Sequence, residues 1–230
     1  MHQTEVKRGA ATPRSARRGT KLAKKTDLAT VRLGNKGKET RAALMQAARH
    51  LLDIVSPLSL TAASISKEAG TGPATFYVYF ENVEDILWAL CADITDDTED
   101  LFADDSILRI DARLEEDALA FVRAYAAIWT RHGPLLLYRN MESDRGNRRF
   151  SHLVTRIGVP IMSGMTDRIV AASPPERGIT RSEANAEAVV LVAAIDRIAA
   201  AIHLYPEESV TPDKLLRAEA RVLTRMLRNR

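Results

Sequence analysis

Apolar residues recur at helical spacing along most of the chain. From residue 44 to residue 55 they fall at i, i+3, i+4, i+7, i+8 and i+11, on one face of a helix: Leu44, Ala47, Ala48, Leu51, Leu52 and Val55. Similar stripes run from Val83 to Phe102, from Leu114 to Trp129, from Ala188 to Ile202 and from Leu215 to Leu227. No segment alternates apolar and polar residues as a half-buried strand does. The pattern predicts an all-α protein with about nine helices.

Two short helices separated by a tight turn are predicted within Leu60–Tyr79. Thr61 is a suitable N-cap for the first of them, and Gly70 suits the position after its end, where φ is often positive. Pro73 fits the first turn of the second helix because its missing N–H is not needed there. Asn82 then caps a third, longer helix. Two helices joined in this way form a helix-turn-helix, whose second helix enters the major groove of DNA.

Other helix ends also follow from local signals. Ser56-Pro57 ends the first helix because the residue before a proline is pushed out of the helical region. The sequence His132-Gly133-Pro134 predicts the end of the helix that begins near Leu114, which leaves a separate helical segment at 134–143. A further segment at 147–172 contains two glycines and a proline, and we expect it to be kinked.

Basic residues are concentrated at the front of the chain. Residues 1–50 contain 13 Lys and Arg against three Asp and Glu, a charge of +10 within a total of +3, so the remaining residues carry −7. Residues 1–35 also lack helical periodicity, which predicts a basic, disordered arm. A basic front and an acidic rear indicate a polyanionic partner for the front only. The alternative is an arm that merely solubilises the protein.

Composition and motifs exclude several classes of protein. Cys91 is the only cysteine, so no intramolecular disulfide can form, as is usual in a reducing cytosol. No apolar run approaches the roughly 18 residues that span a bilayer, and we expect a cytoplasmic protein without a secretory signal. Phosphate-binding, nucleophile-elbow and metalloprotease motifs are absent, and the consecutive acids at 115–117 point in different directions around a helix. We therefore expect neither catalytic activity nor a cofactor.

Seven acidic residues lie within Asp93–Asp105. Four of them share one helical face: Asp93, Asp97, Asp100 and Asp104. A solvated helix face is the simplest interpretation. A divalent-metal site is an alternative, although the segment lacks the loop and the glycine of a calcium-binding hand. A third interpretation is that the basic arm docks on this face as an autoinhibitory contact.

The segment TAASISKEAGTGPATFYVYFENVEDIL, residues 61–87, closely resembles the TetR family of bacterial transcriptional regulators. The match covers about residues 37–97 and includes the Ala-Gly turn, Thr-Phe-Tyr-x-Tyr-Phe and Asn-x-x-(Glu/Asp)-(Ile/Leu)-Leu. The resemblance implies a DNA-binding domain at 36–81 and a connecting fourth helix at 82–103. It also implies a domain for effector binding and dimerisation at 104–230.

The resemblance further implies that Thr61 and Thr75 contact DNA phosphates and that Pro73, Ala74 and Tyr77 face the base edges. The other candidate DNA-binding residues lie around the turn and at the start of the first helix: Thr71, Gly72, Tyr79, Lys36, Lys38 and Arg41.

Two departures from the family weaken DNA recognition by the helix-turn-helix itself. Many relatives carry a lysine on each side of the asparagine that begins the fourth helix, where this chain has Glu81 and Val83. The Gly-Pro-Ala sequence at 72–74 has no side-chain donors, so it cannot make bidentate contacts to bases. Apolar contacts with thymine methyl groups, and phosphate or minor-groove contacts from basic residues 14–38, are the expected compensation.

The rear domain is expected to enclose an apolar effector cavity. Such a pocket, with few polar anchors, suits an aromatic or lipid-like molecule. The candidate lining residues are large and mostly apolar: Trp88, Phe102, Phe121, Tyr125, Trp129, Tyr138, Met141, Phe150, Met162 and Met165. Each of them is also a candidate for ordinary core. His132 and His152 are candidate polar anchors.

The resemblance implies a homodimer formed by the last two helices, at about 180–205 and 211–228. These helices begin at a capping box, Thr180 with Glu183, and at Thr211-Pro212. The expected activity is repression that ends when an effector binds and the protein leaves a palindromic operator. One alternative is a co-repressor type, whose ligand strengthens DNA binding. The other is a helical interaction protein that no longer reads DNA.

Overall fold

The computed structural model describes residues 34–103, 113–173, 178–205 and 210–228, and only the backbone at 97 and 99–103. Within these ranges the chain forms eight α-helices, one short 3-10 helix and no strand, which confirms the predicted all-α class. The α-helices are α1 Asn35–Leu52, α2 Ala62–Glu68, α3 Pro73–Tyr79, α4 Val83–Ala103, α5 Leu114–Asp144, α6 Arg148–Ala172, α7 Arg181–Leu204 and α8 Pro212–Leu227, and the 3-10 helix is Pro57–Ser59. The predicted basic arm, apart from its last two residues, lies outside the described residues.

Helices α1, α2 and α3 form a small three-helix unit around a shared apolar core. Leu44 from α1 and Ile65 from α2 are fully buried there. Phe76 and Phe80, whose i, i+4 spacing predicts core positions, are buried beside them with ring centroids 5.6 Å apart. The predicted apolar face of α1 extends too far, because the helix ends at Leu52 and Val55 is exposed.

Local side-chain bonds fix the ends of α2 and α4. Ser64 N–H donates to Thr61 Oγ1 at 3.0 Å, and Thr61 N–H donates to Ser64 Oγ at 3.1 Å, which completes a capping box. Gly70 has φ +66°, as its predicted place after α2 requires. Asp85 N–H donates to Asn82 Oδ1 at 2.9 Å, so Asn82 caps α4.

Helix α5 is continuous, and the predicted break at His132-Gly133-Pro134 is wrong. Pro134 lies inside the 31-residue helix Leu114–Asp144, so the segment at 134–143 is its second half and not a ninth helix. An internal proline costs about 3 kcal/mol because one hydrogen bond is lost and the ring crowds the preceding turn. The buried residues on both sides, Trp129 and Leu135 among them, offset this cost because they pack against neighbouring helices.

Helices α4 to α8 form the second, larger part of the fold. Helix α6 packs against α4, α5 and α7, and α8 packs mainly against α5. Exposed ion pairs join neighbouring helices: Arg181 to Asp167 at 2.6 Å between α7 and α6, and Arg123 to Asp213 at 2.8 Å between α5 and α8. Among the described helices, none is long and apolar enough to cross a membrane.

Candidate DNA-binding surface and effector domain

The outer face of the helix-turn-helix carries five of the eleven predicted DNA-binding residues. Thr61, Gly72, Pro73 and Ala74 are exposed, and Tyr77 is 60% exposed. The edge-to-face contact between the rings of Tyr77 and the buried Phe76, with centroids 5.4 Å apart, positions Tyr77 on this face. The start of α2 and the first turns of α3 therefore present one mainly apolar surface.

Three further candidates in the same region are half-buried: Thr71, Thr75 and Tyr79. Thr71 closes the turn, because its backbone N–H donates to Ser66 O at 2.8 Å and its hydroxyl lies 3.4 Å from the same oxygen. Tyr79 packs against the core. Only part of each of these side chains is accessible to a partner.

The three predicted basic contacts of α1 have different surroundings. Lys36 and Lys38 are exposed in its first turn. Arg41 instead places its guanidinium carbon 5.1 Å from the centroid of the Phe80 ring, and its Nη1 lies 3.0 Å from Met45 Sδ. Lys67, which was not predicted, is an additional exposed cation near the end of α2, and its only signal in the sequence is a charge beside the Ala-Gly turn.

Polar side-chain contacts connect α1 to both α2 and α4. His50 Nδ1 lies 2.7 Å from Glu68 Oε1 in α2, and Arg49 Nη2 lies 2.6 Å from Asp93 Oδ2 in α4. A cleft of about 300 Å³ also separates α1 from α5, and residues of both sides line it: Gln46, Arg49, His50, Leu52, Asp53, Arg131, His132, Pro134 and Leu135. The three-helix unit thus meets the larger part of the fold, helices α4 to α8, along α1; these helices contain the predicted effector domain.

A second connection joins the start of α4 to the start of α6. Arg149 Nη1 lies 2.6 Å from Asp85 Oδ1, and its guanidinium carbon lies 4.8 Å from the centroid of the Trp88 ring. Trp88 Nε1–H donates to the carbonyl of Arg149 at 3.3 Å, and Asn147 Nδ2 donates to Glu84 Oε1 at 3.1 Å. Trp88, a predicted effector-lining residue, therefore packs against the start of α6 from the second turn of α4, the helix that follows α3.

The other predicted effector-lining residues lie mostly in the core of the effector domain. Six of them are buried: Phe121, Tyr125, Trp129, Tyr138, Phe150 and Met165. Met141 and Met162 are half-buried, and the side chain of Phe102 lies outside the described residues. The rings of Tyr138 and Phe150 meet edge to face at 5.5 Å. Of the predicted polar anchors, His132 is half-buried beside the cleft and His152 is exposed.

A polar network lies among these apolar residues between α5 and α7. Asp196 Oδ1 accepts from Tyr125 Oη at 2.8 Å and from Trp129 Nε1 at 3.3 Å, and Asp196 Oδ2 accepts from Asn140 Nδ2 at 3.3 Å. Asn140 Oδ1 in turn accepts from Nε and Nη2 of Arg139, at 3.0 and 2.9 Å. Burial, followed by the Asp196 charge, raises the pKa of Tyr125 well above its usual range, so it stays a donor.

Sequence reasoning did not identify Arg139, Asn140 or Asp196. The signal that could have identified them is a polar residue inside an apolar helical stripe, since Asp196 follows Ile195 in the most apolar helix of the chain. Contacts between residues more than 50 positions apart are not visible in such a stripe. The network is therefore a finding of the structure.

Two members of the acidic segment in α4 form ion pairs. Asp93 pairs with Arg49 of α1, and Asp96 Oδ1 lies 2.8 Å from Arg156 Nη2 of α6. Within the described part of the chain, no group of three or more His, Cys, Asp or Glu could hold a metal ion. The side chains of Asp97 and of 99–105 lie outside that part. At Asp93 and Asp96 the segment thus connects helices and is not simply a solvated face.

Comparison with known proteins relates the chain to solved structures. No family model matches the sequence, and no curated protein matches it. The fatty acid degradation regulator FadR of Bacillus halodurans is similar in structure, with a TM-score of 0.61, 15% identity and coverage of 83% of this chain and 97% of that one. FadR of Bacillus subtilis, solved with stearoyl-CoA, gives a TM-score of 0.57 and 16% identity over 81% of this chain and 96% of that one.

A TetR/AcrR-family regulator of Thermobifida fusca gives a TM-score of 0.56 at 16% identity, over 81% of this chain and 97% of that one. These matches extend well beyond residues 37–97 and include both the three-helix unit and the effector domain. The chain therefore has the fold of the TetR-family transcriptional regulators, the family that its helix-turn-helix sequence resembles.

Proposed function

We propose that this chain is a DNA-binding transcriptional regulator that represses by occupying a palindromic operator and leaves it when an effector binds. The observation that carries this proposal is the exposed face of α3, on which Pro73, Ala74 and Tyr77 lie together in a fold shared with TetR-family regulators. Apolar side chains are usually buried in a folded protein. Their exposure on α3 therefore favours a partner that covers them, and in this fold that partner is DNA.

Readout by this surface is mainly apolar and shape-dependent. Pro73 and Ala74 can contact thymine methyl groups, and the Tyr77 hydroxyl can donate to a phosphate. Lys36 and Lys38 are exposed in the first turn of α1 and supply phosphate neutralisation together with the basic arm. The arm compensates for the lysines that Glu81 and Val83 replace on either side of Asn82.

The dimer that we propose forms through α7 and α8. Helix α7 has apolar residues on its outer face as well as on its buried inner face: Val189 and Val190 are exposed, and Val190 is 67% exposed. Small exposed residues continue this outer face and allow close approach of a second helix: Ala186, Ala193 and Ala194. Exposed apolar residues grouped on one helix face favour contact with a partner, and a second copy of the chain would bury them.

Coupling between effector and operator would pass through α4. This helix is joined to α1 by Arg49–Asp93 and to α6 by Arg149–Asp85, so a shift of α4 would act on the contacts of both helices. Two recognition helices must lie about 34–36 Å apart to read successive half-sites. An effector that prefers a different spacing lowers DNA affinity by the difference in its own affinity for the two states.

The proposed effector is a small, largely apolar molecule of the acyl type. The interior residues of the effector domain are mainly Leu, Ile, Ala and aromatic side chains, with a single polar network between α5 and α7. The similar FadR of Bacillus subtilis was solved with stearoyl-CoA, which supports an acyl chain as the ligand class.

The proposal is tested by measuring how tightly the protein binds the DNA segment that precedes its own gene. The measurement is the fluorescence anisotropy of a labelled duplex. Tyr77→Ala is expected to weaken binding roughly 10- to 100-fold, as loss of a hydrogen bond to a charged phosphate would. Val159→Ala is the control, because Val159 is 52% exposed on α6, outside α3 and outside the proposed dimer helices. Equal DNA affinities of the two variants would contradict DNA recognition by α3. If the native chain shows no saturable binding to the duplex, the alternative of a helical interaction protein that no longer reads DNA is favoured.

A further inference from the structure

Arg139 is a buried arginine in the interior of the effector domain. It is only 4% exposed, although it lies in the middle of the second half of α5. Within the part of the chain that the structure describes, no carboxylate forms an ion pair with it. Its side-chain hydrogen bonds there go to one neutral acceptor, Asn140 Oδ1. A buried charge normally has a charged partner, because removing it from water costs several kcal/mol per ion.

The carboxylate of Asp196 is connected to Arg139 through one amide group. Asn140 accepts from Arg139 with its oxygen and donates to Asp196 with its nitrogen, so it separates the two charges. Both oxygens of Asp196 are already engaged, by Tyr125, Trp129 and Asn140. Asp196 is therefore satisfied, and the guanidinium is the incompletely matched member of the network.

The surroundings of Arg139 belong to the effector domain. Its charge acts on the Cys91 thiol of α4 and on the Tyr125 phenol of α5, in both cases against the dominant effect of burial. Burial raises the pKa of Cys91 to about 12, so the thiol is neutral and cannot balance the guanidinium. Tyr125 is likewise neutral. Arg139 thus faces groups that leave its charge uncompensated.

We propose that Arg139 anchors the anionic head group of an acyl effector, and this inference rests on the proposed function. A guanidinium presents a planar fork of donors that matches a carboxylate or a phosphate. Two of its donors bond Asn140, and the remaining ones are available to an anion. Trp129 and Tyr138 of the predicted lining set are buried on the same helix as Arg139, and the apolar chain of the ligand would pack among such residues. The ligand class is an acyl chain that ends in an anion.

Three probes with the same twelve-carbon chain separate the sources of charge: dodecanoate and dodecanoyl-CoA, each below its critical micelle concentration, and 1-dodecanol below its solubility limit. Binding is followed by the emission of Trp129, whose indole N–H belongs to the network, in a Trp88→Phe background that removes the only other tryptophan. We expect dodecanoate to bind roughly 10- to 100-fold more tightly than the alcohol, as a charged bidentate hydrogen bond provides. In Arg139→Gln this preference should disappear, and in Arg139→Lys it should be reduced.

Thermal unfolding without ligand distinguishes an anchor from a structural residue. Glutamine at 139 can still donate to Asn140, and it removes a poorly compensated buried charge. We therefore expect the melting temperature of Arg139→Gln to equal or exceed that of the native chain. A large fall in that melting temperature would show that Arg139 only stabilises the fold, and would overturn the proposal.

The binding results also separate this inference from the proposed function. Equal binding of dodecanoate and 1-dodecanol to the native chain would overturn the Arg139 anchor while leaving an acyl effector in place. A preference for dodecanoyl-CoA that survives in Arg139→Gln would place the anionic anchor elsewhere and would also overturn it. If none of the three probes binds, both the anchor and the acyl class of effector are wrong, while DNA binding is judged separately by Tyr77→Ala.

Discussion

The imidazole of His203 in α7 lies against Gly133 of α5, so closely that a Cβ atom built on Gly133 would be 2.0 Å from His203 Nε2. No other residue type fits at position 133 unless the ring moves. The contact lies one residue before Pro134, where α5 lacks one backbone hydrogen bond. Close packing of α7 on this weakened turn is one reason why the helix continues through the proline.

Gly133→Ala should therefore destabilise the native chain by about 1–3 kcal/mol, as overpacking of a core does. In a His203→Ala background the same substitution should stabilise instead, by up to about 1 kcal/mol, because alanine is the better helix former. Denaturant unfolding of the four proteins measures both changes. Gly164→Ala is the matched control, since nothing lies within 4 Å of its added Cβ. The same sign of effect in both backgrounds would contradict the steric explanation.

Local signals and tertiary packing account for what the sequence did and did not predict. Thr61, Gly70 and Asn82 were correctly placed because a cap or a positive φ depends on a few neighbouring residues. The break at Pro134 was wrong because the packing of His203, 70 positions away, outweighs a local preference. The Arg139–Asn140–Asp196 network was missed for the same reason.

The connection between α4 and α6 predicts a local effect of Arg149→Ala. This substitution removes the ion pair to Asp85 and the cation–π contact with Trp88. Both partners of the ion pair are partly solvated, so the global stability should fall by less than about 1 kcal/mol. Hydrogen exchange should instead show faster exchange of the amides of residues 84–88, because the first turn of α4 loses its support.

Arg145→Ala is the matched control for this substitution. Arg145 bonds Glu142 at 3.2 Å, three positions earlier in the same chain segment, and does not connect helices α4 and α6. Exchange at 84–88 should then stay at the native rate. Equal acceleration in both variants would mean that Arg149 does not hold the start of α4.

Removal of residues 1–33 tests the role of the basic arm. The resulting chain begins at Gly34, just before α1, and keeps every described residue. If the arm supplies phosphate contacts, DNA affinity falls and the slope of log affinity against log salt decreases by about one unit per lost contact. The measurement is anisotropy over a series of salt concentrations. Unchanged affinity and slope would show that the arm only solubilises the protein.

The outer face of α7 predicts that Val190→Glu prevents dimer formation. A carboxylate buried without a partner at the contact would cost about 3 kcal/mol or more, roughly a 100-fold rise in the dimer dissociation constant. Val159→Glu is the control, because Val159 on α6 is 52% exposed and lies outside the proposed contact. Sedimentation equilibrium should find the control variant dimeric and Val190→Glu monomeric at low concentration. If both variants remain dimeric, another face forms the dimer.

Glu219 of α8 predicts a pH dependence of stability. Its side chain is buried, Oε1 has no hydrogen-bond partner, and burial raises its pKa from 4.5 to about 8. The folded chain therefore binds this proton more tightly than the unfolded chain does. The contribution of Glu219 to the stability of the fold is fully present below about pH 4.5. It is lost progressively as the pH rises towards 8, where the buried carboxylate must ionise.

Glu219→Gln should consequently raise the melting temperature at pH 8.5 and leave it nearly unchanged at pH 5, because a neutral amide replaces the ionising group. Glu183→Gln should change the melting temperature in the opposite direction, because this carboxylate stabilises the fold when it is ionised. Hydrogen bonds from Thr180 lower the pKa of the Glu183 carboxyl, so its contribution is present above its usual pKa and is lost as the pH falls. Melting curves of both variants from pH 4 to pH 9 measure these effects. A gain from Glu219→Gln that is equal at pH 5 and pH 8.5 would mean that its ionisation does not oppose folding.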